Sequence, residues 1–172
     1  MDAGLTAGTR TDAAFDPRDV TWSRVSPRLA LARRTTLSLT IGVLAAIDVV
    51  VGIVVLDWPW AWAILAALAI GQVWGWLLAA RQAAAIGYAE REDDLLVRRG
   101  VMFRQLVVVP YGRMQYVDVQ AGPLDRAFGI AQVQLHTASS GTDASIPGLP
   151  PHEAARLRDR LASRGHAQLA GL

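Results

Sequence analysis

The sequence of 172 residues contains no cysteine, and all seventeen of its basic residues are arginine. Without cysteine the chain has no disulfides, no thiolate chemistry and no cysteine-based zinc site. Its formal net charge of +2 is too small to indicate nucleic-acid binding, so we expect no nucleic-acid partner. Charge is scarce between residues 37 and 80, which hold two acids, Asp48 and Asp57, and no arginine. The middle of the chain is therefore suited to lipid rather than to water.

Patterns that carry catalysis or metal binding are also missing. The three histidines, His136, His152 and His166, lie far apart and lack metal-ligand spacing. The acidic run at 90–94 lacks the spacing and the glycine of an EF-hand. No G-x-S-x-G elbow, phosphate-binding loop or dinucleotide fingerprint occurs. We therefore expect a protein that is not an enzyme and has no catalytic residue, metal or cofactor.

Two uncharged or nearly uncharged runs of twenty residues, 37–56 and 60–79, dominate the first half of the chain. As a helix each run is about 30 Å long, the thickness of the hydrocarbon core of a bilayer. Only Asp57-Trp58-Pro59 separates them, and tryptophans cluster at this turn and near the far end of the second run, as is typical of membrane interfaces. The sequence predicts a transmembrane helical hairpin over residues 36–80.

Arginines flank the hairpin on one side only. Three precede the first span and two follow the second, whereas the turn has none; they are Arg28, Arg33, Arg34, Arg81 and Arg91. By the positive-inside rule both termini are cytoplasmic, which predicts a multi-pass protein of the cell membrane. The polar residues 1–35 are expected to form a flexible cytoplasmic tail.

Polar and small residues inside the spans predict how the two helices pack. Asp48 lies near the middle of the first span, where an acid must face protein rather than lipid, and Gln72 of the second span is a plausible partner. Ala67, Gly71 and Gly75 give the second span a small-residue face that permits close approach. Asp48 is either part of a proton or ion relay or a polar clasp within the hairpin or between protomers. We favour the clasp, because a relay needs a path of several polar groups.

The sequence pattern changes from residue 86, where short β-branched and aromatic runs alternate with polar residues and are divided by Gly, Pro and Asp. This pattern is typical of an all-β sandwich or barrel with one buried face. Residues 98–100 predict a hairpin turn. Pro151, Glu153 and Gly165 bracket a helix at about 151–164 with an apolar stripe. We expect a β domain over residues 82–165, capped by this helix, and a tail over 166–172.

Several sequence segments in the second half of the chain, taken in order, resemble those of a known family. A two-span hairpin followed by LLVRRGVMFRQLVVVPYGRMQYVDVQAGPLDRAFGIAQVQLHTASSG and by IPGLPPHEAARLRDRL resembles the bacterial pleckstrin-homology-like (PH-like) membrane proteins of the YdbS-like kind. The resemblance covers roughly residues 37 to 164. It implies an α+β membrane protein with a PH-like antiparallel β-barrel and a C-terminal helix, and it implies no reaction. Eukaryotic PH domains bind phosphoinositides, but a shared fold does not transfer that function.

Within such a barrel the phrase GPLDRAFG is expected to form a corner between two strands. Leu124 and Phe128, at a four-residue helical step, would point inward, and Asp125 and Arg126 would point outward or pair locally after the break at Pro123. Two interpretations remain open for this corner. It is either a structural turn with solvated charges or a docking surface for a partner protein, since loops on rigid scaffolds often bind partners.

Several arginines fall close behind the second span, where an anionic leaflet would attract them. The candidate lipid contacts are Arg81, Arg91, Arg98, Arg99 and Arg104. Our first hypothesis is a non-enzymatic membrane protein whose cytoplasmic module supports assembly or partner docking, as a homo-oligomer or with a second membrane protein such as another PH-like protein. The alternative is sensing of anionic lipid headgroups, with membrane lipids as partners. A third, more remote hypothesis is a minimal transporter that uses Asp48.

Overall fold

The structure is a computed structural model that describes residues 20–138 and 143–170. It contains two long helices, two antiparallel sheets and a C-terminal helix, in that order along the chain. The first nineteen residues of the predicted tail, and residues 171–172, lie outside the described residues.

Two helices form an antiparallel hairpin. Helix α1 spans Arg28–Ile47 and continues as a π-helix over Asp48–Val55, and helix α2 spans Ala61–Ala84. Both are long and apolar enough to cross a membrane. They extend beyond the apolar runs at their outer ends, because Leu29, Ala32 and Ala83 are buried in the core of the adjoining domain. The helical backbone thus runs from the lipid-suited segment directly into the folded domain.

Among the described residues seven strands make up the sheets: β1 Ser23–Arg24, β2 Gly87–Glu90, β3 Asp94–Arg99, β4 Gln105–Pro110, β5 Met114–Gln120, β6 Ala131–Thr137 and β7 Ala144–Leu149. The first sheet has the order β1-β2-β3-β4 and the second the order β5-β6-β7. In β6 the residues Ala131, Val133, Leu135 and Thr137 are buried and the intervening ones are half-buried, as their alternation in the sequence predicts.

The expected closed barrel is not formed by the described strands, which make two separate sheets. Between the sheets the chain passes through a 3₁₀ turn, Tyr111–Arg113, directly after Pro110. Proline has no backbone N–H to donate to a ladder, so the end of β4 is a natural place for pairing to stop. The two sheets nevertheless share one core, to which Leu95 and Val109 contribute from one side and Val133 and Ile146 from the other.

The C-terminal helix α4 spans Pro151–Ala170 and covers the core with Ala154, Leu157 and Leu161, each fully buried. It is longer than the predicted helix, and Gly165 lies inside it rather than ending it. The reason is packing, because Gly165 is buried and a Cβ there would lie 3.7 Å from the Tyr111 carbonyl oxygen. Burial of Leu157 and Leu161 on the same helix offsets the cost of about 1 kcal/mol that glycine imposes on a helix interior.

The N-terminal segment differs from the sequence prediction. Residues 23–35 are not a flexible tail, because β1 pairs with β2 through Ser23 and Tyr88, and Val25, Leu29 and Ala32 are buried in the common core. Scattered apolar residues among arginines and prolines gave the sequence no strong periodic signal here. The folded domain therefore begins before the hairpin and resumes after it.

Candidate functional site

Four of the five predicted lipid-contact arginines line one cleft of about 460 Å³. Arg81 comes from the last turns of α2, Arg98 and Arg99 come from the end of β3, and Arg104 comes from the residue before β4. Among the described residues that line this cleft none is acidic. We call it the arginine cleft. It lies at the end of a membrane-suited helix.

Three local features fix the geometry of the arginine cleft. Gly100, which follows β3, has a φ of 100°, and a Cβ there would collide with the Phe103 carbonyl oxygen, so this tight turn requires glycine. Across the hairpin Arg99 Nε donates a hydrogen bond of 3.0 Å to Gln105 Oε1. The guanidinium of Arg98 stacks over the Trp22 ring at 4.4 Å, a favourable cation–π geometry.

Three apolar residues project from the same turn. Met102 and Phe103 are 85% and 84% exposed, and Val101 is 41% exposed. We call Val101, Met102 and Phe103 the apolar tip. The sequence predicted the hairpin turn at residues 98–100, but the connection runs through the apolar tip to Arg104, because β3 continues to Arg99 and β4 begins only at Gln105. The position of the apolar tip between Arg99 and Arg104 is the sequence feature that could have identified it as part of a loop.

Arg91 lies elsewhere in the domain and takes no part in the arginine cleft. Its carbonyl oxygen accepts hydrogen bonds from Arg164 Nη1 at 2.6 Å and from Tyr111 Oη at 3.1 Å. Its own side chain lies 3.9 Å from Asp94 Oδ1. Arg91 therefore belongs to the contact between α4 and the sheets.

A second polar contact fixes α4 at its other end. Tyr88 Oη donates to Glu153 Oε1 at 3.1 Å, and Arg156 donates to the same oxygen. Burial raises the pKa of Tyr88 to about 12, and the hydrogen bond to Glu153 adds to the shift. The hydrogen bond from Arg156 lowers the pKa of Glu153 below its ordinary value. These groups hold the helix on the first sheet and are structural.

The predicted docking corner forms a short helix, α3, over Pro123–Ala127. Asp125 Oδ2 accepts a hydrogen bond from the Gly122 N–H at 3.1 Å and so caps this helix. Leu124 and Phe128 are half-buried, and Pro123 and Arg126 are exposed. The corner packs against α1, with Leu124 and Asp125 lining a cavity of about 210 Å³ that Leu29 also lines. Part of its surface, including Leu124, is therefore turned towards α1.

The polar contact within the hairpin differs from the predicted one. Gln72 Nε2 donates to Ser38 Oγ at 2.8 Å, and Trp76 Nε1 donates to the same oxygen at 3.1 Å. Asp48 is not the partner of Gln72, and its Oδ2 is buried with no hydrogen bond among the described residues.

The pairing of the two helices explains this difference. Gly52 lies beside Ala61 and Leu37 beside Gly75, so the residues opposite Asp48 are those near position 64. Gln72 lies about eight residues further along α2, roughly 12 Å by helix rise.

The small residues of α2 do not share one interface. A Cβ on Gly75 would collide with the side chain of Leu37, so this glycine permits the close approach of the two helices. Gly71 has nothing within 4 Å of a Cβ, and Ala67 is exposed. Only the domain end of the small-residue face is thus used within the hairpin.

Comparison with known proteins gives two matches. The family model described as "Bacterial PH domain" matches residues 35–165. The chain is 37% identical over 75 residues to the UPF0699 transmembrane protein YdbS of Bacillus subtilis (strain 168), and this stretch covers 44% of the chain and 46% of that protein. The chain thus spans about half the length of the curated relative that it matches. No solved structure gives a significant match.

Proposed function

Since this chain belongs to the bacterial PH domain family and is a membrane protein, we propose that its arginine cleft binds the phosphate of anionic lipid headgroups at the cytoplasmic face of the bacterial inner membrane. The observation that carries this proposal is that four arginines, from α2 and from the β3–β4 hairpin, line one cleft. The domain would sense or hold lipid rather than transform it.

The chemistry of the arginine cleft suits a phosphate. A guanidinium group presents several N–H donors in a planar fork that matches phosphate oxygens, and it remains charged at any physiological pH. Near an anionic leaflet each basic residue contributes about 1 kcal/mol to attraction. Arg81 follows the apolar part of α2, which places the cleft at the level of the headgroups if α2 crosses the bilayer.

The proposal includes the side of the membrane on which the folded domain lies. Arginines flank both spans on the domain side and are absent from the turn at 57–59, so the positive-inside rule favours a cytoplasmic domain. We also propose that the two sheets and α4 correspond to the PH-like barrel implied by the resemblance, in an open form. No catalytic step is included, because the described lining of the cleft offers no nucleophile and no carboxylate.

Partner docking at the α3 corner stays a prediction with less support. The half-buried Leu124 faces a cavity shared with α1, so part of the apolar surface expected for a partner is already turned towards the chain itself. Pro123 and Arg126 remain exposed and leave a small polar surface.

The lipid proposal is tested with the full-length protein in nanodiscs that contain spin-labelled phosphatidylglycerol or phosphatidylcholine. The relative association of the two lipids is measured by electron paramagnetic resonance. We expect a preference for phosphatidylglycerol that falls at least threefold in the double variant Arg99→Gln/Arg104→Gln, since each arginine contributes about 1 kcal/mol.

The matched control removes the same charge outside the arginine cleft. Arg113 and Arg158 are exposed and lie on the 3₁₀ turn and on α4. The variant Arg113→Gln/Arg158→Gln should keep the preference of the parent protein. An equal loss in both double variants would show that only net charge matters, and the absence of any preference in the parent protein would remove the proposal.

A further inference from the structure

The apolar tip is the most exposed cluster of large apolar side chains in the described part of the domain. We propose that Val101, Met102 and Phe103 insert into the same leaflet that the hairpin crosses, so that the domain is attached to the membrane at a third point. This inference rests on the proposed position of the arginine cleft at the membrane surface, and it concerns the acyl chains of the lipid rather than the headgroup.

Exposure is the first observation. Met102 and Phe103 are 85% and 84% exposed, side by side, whereas the neighbouring strand residues Val97 and Val109 are buried in the core. Single exposed apolar residues are ordinary, but adjacent large ones on a protruding turn indicate a contact surface. The turn cannot easily fold these side chains inward, since Gly100 fixes its path and Arg99 pairs with Gln105 at its base.

Position is the second observation. Val101 lines the arginine cleft together with Arg81, Ala84 and Ala85, which belong to the end of α2 and the residue after it. The base of the apolar tip therefore lies at the level where α2 leaves its apolar segment. A turn rooted at that level starts close to the boundary between headgroups and acyl chains.

The order of residue types fits a bilayer interface. Arg99 and Arg104 stand on either side of the apolar residues, so the phosphate layer can contact the guanidinium groups while the thioether and the ring enter the acyl region. Membrane-surface segments combine apolar residues with flanking basic ones in this way. Long arginine side chains can also reach back to the headgroups from a partly inserted backbone.

The positive charges of Arg99 and Arg104 argue against a second copy of the chain as the binding partner of the apolar tip. In a two-fold contact the same patch meets itself, so the apolar tips of two protomers would bring both pairs of Arg99 and Arg104 together. Like charges at such short range oppose the contact. An anionic leaflet supplies the opposite charge and the apolar phase at once.

The test uses the full-length protein in nanodiscs. Because the chain has no cysteine, Met102→Cys and Phe103→Cys each give a single site for a nitroxide label. Collisions of the label with oxygen, which concentrates in lipid, and with a water-soluble nickel chelate are measured by electron paramagnetic resonance. The control is Ala162→Cys, at an exposed position of α4, which packs on the second sheet.

We expect the label at 102 or 103 to collide with oxygen at least threefold more, relative to nickel, than the label at 162. A label that meets nickel as readily as the control is in water, and a label shielded from both reagents lies in a protein contact. Either result overturns the inference. The use of two positions guards against one substitution that disturbs the turn.

Nanodiscs of phosphatidylcholine alone and nanodiscs with phosphatidylglycerol separate this inference from the proposed function. Insertion in both compositions without any lipid preference would retain the apolar tip and remove headgroup recognition. A lipid preference lost in Arg99→Gln/Arg104→Gln, together with a water-exposed label at 102 and 103, would retain the arginine cleft and remove insertion.

Discussion

Tyr88 Oη and Glu153 Oε1 form a hydrogen bond of 3.1 Å that joins β2 to the first turn of α4 across the core. Tyr88 is only 3% exposed. We expect Tyr88→Phe to lower the free energy of unfolding by about 1 kcal/mol, since one hydrogen bond is lost and no cavity is made. Urea unfolding of the full-length protein in detergent, followed by near-ultraviolet circular dichroism, measures the change.

The control for this substitution is Tyr116→Phe. Tyr116 is 57% exposed and its ring stacks on His136, so removal of its hydroxyl should change the free energy of unfolding by less than about 0.5 kcal/mol. Equal effects of the two substitutions would contradict the role assigned to the contact between Tyr88 and Glu153.

The same tyrosine predicts a loss of stability in alkali. Burial raises the pKa of Tyr88 from 10.0 to about 12, so the unfolded chain releases this proton first and unfolding is favoured as the pH rises from 10 to 12. Below pH 10 the contribution is fully present. Melting temperatures measured between pH 9 and pH 12 should fall less steeply in Tyr88→Phe than in the parent protein. Part of the loss should remain, because burial also raises the pKa of Tyr111.

The part of α1 that lies in the domain gives a third prediction. Leu29 is 5% exposed and contacts the backbone at Gly148, whereas Leu31 is 49% exposed on the same helix. Leu29→Ala should lower the free energy of unfolding of the domain by about 2–5 kcal/mol, the cost of emptying a buried leucine site. Leu31→Ala should change it by less than about 0.5 kcal/mol. Similar values for the two variants would mean that the segment before the hairpin is not part of the core.

Periodic segments of the molecule could be predicted from the sequence, whereas the contacts between segments could not. The alternation of apolar and polar residues in β6 and the apolar length of the two spans are local signals, because burial of apolar side chains away from water determines each of them. Both are found in the structure. Leu29 and Ala32 lie in a segment without such a period, so only the tertiary fold shows that they join the core. Gly165 was read as a helix end, but its burial against Tyr111 decides otherwise.

In the candidate site, too, local patterns could be predicted from the sequence and contacts between segments could not. Arginines behind the second span were a usable signal, because any residue soon after a span lies near the lipid headgroups. The sequence could not separate Arg91 from the arginines of the cleft, because their grouping depends on the strand pairing. Arg91 lies in the connection between β2 and β3, at the end of β3 opposite to Arg98 and Arg99. The apolar tip was missed for a related reason, since an apolar run that leaves the sheet looks like one that stays in it.

The two glycines of the small-residue face predict opposite outcomes for the same substitution. Gly75→Val should separate the helices and lower the stability of the hairpin by about 1–3 kcal/mol, because its side chain would overlap Leu37. Gly71→Val adds the same atoms to the same helix where nothing lies within 4 Å of a Cβ. Thermal unfolding in one detergent, followed by tryptophan fluorescence, should show a drop for Gly75→Val only. A comparable drop for Gly71→Val would indicate that the outer face of α2 is also packed.

The polar contact of the hairpin can be tested with a double-mutant cycle. Ser38 Oγ accepts hydrogen bonds from both Gln72 Nε2 and Trp76 Nε1, so Ser38→Ala removes two bonds and Gln72→Leu removes one of them. Within membranes such bonds contribute about 0.6 kcal/mol on average, with values up to about 1.7 kcal/mol. We expect a coupling energy of that size between positions 38 and 72 when unfolding is followed in mixed micelles.

A second cycle, between Asp48→Asn and Gln72→Leu, provides the control for the first. These two residues lie roughly 12 Å apart along the helix axis by helix rise, so their substitutions should add with no coupling beyond about 0.5 kcal/mol. Strong coupling between positions 48 and 72, with none between 38 and 72, would mean that α1 is shifted along α2 relative to the structure. The register of the whole hairpin depends on this result, because Gly75 faces Leu37 only when Ser38 lies beside Gln72.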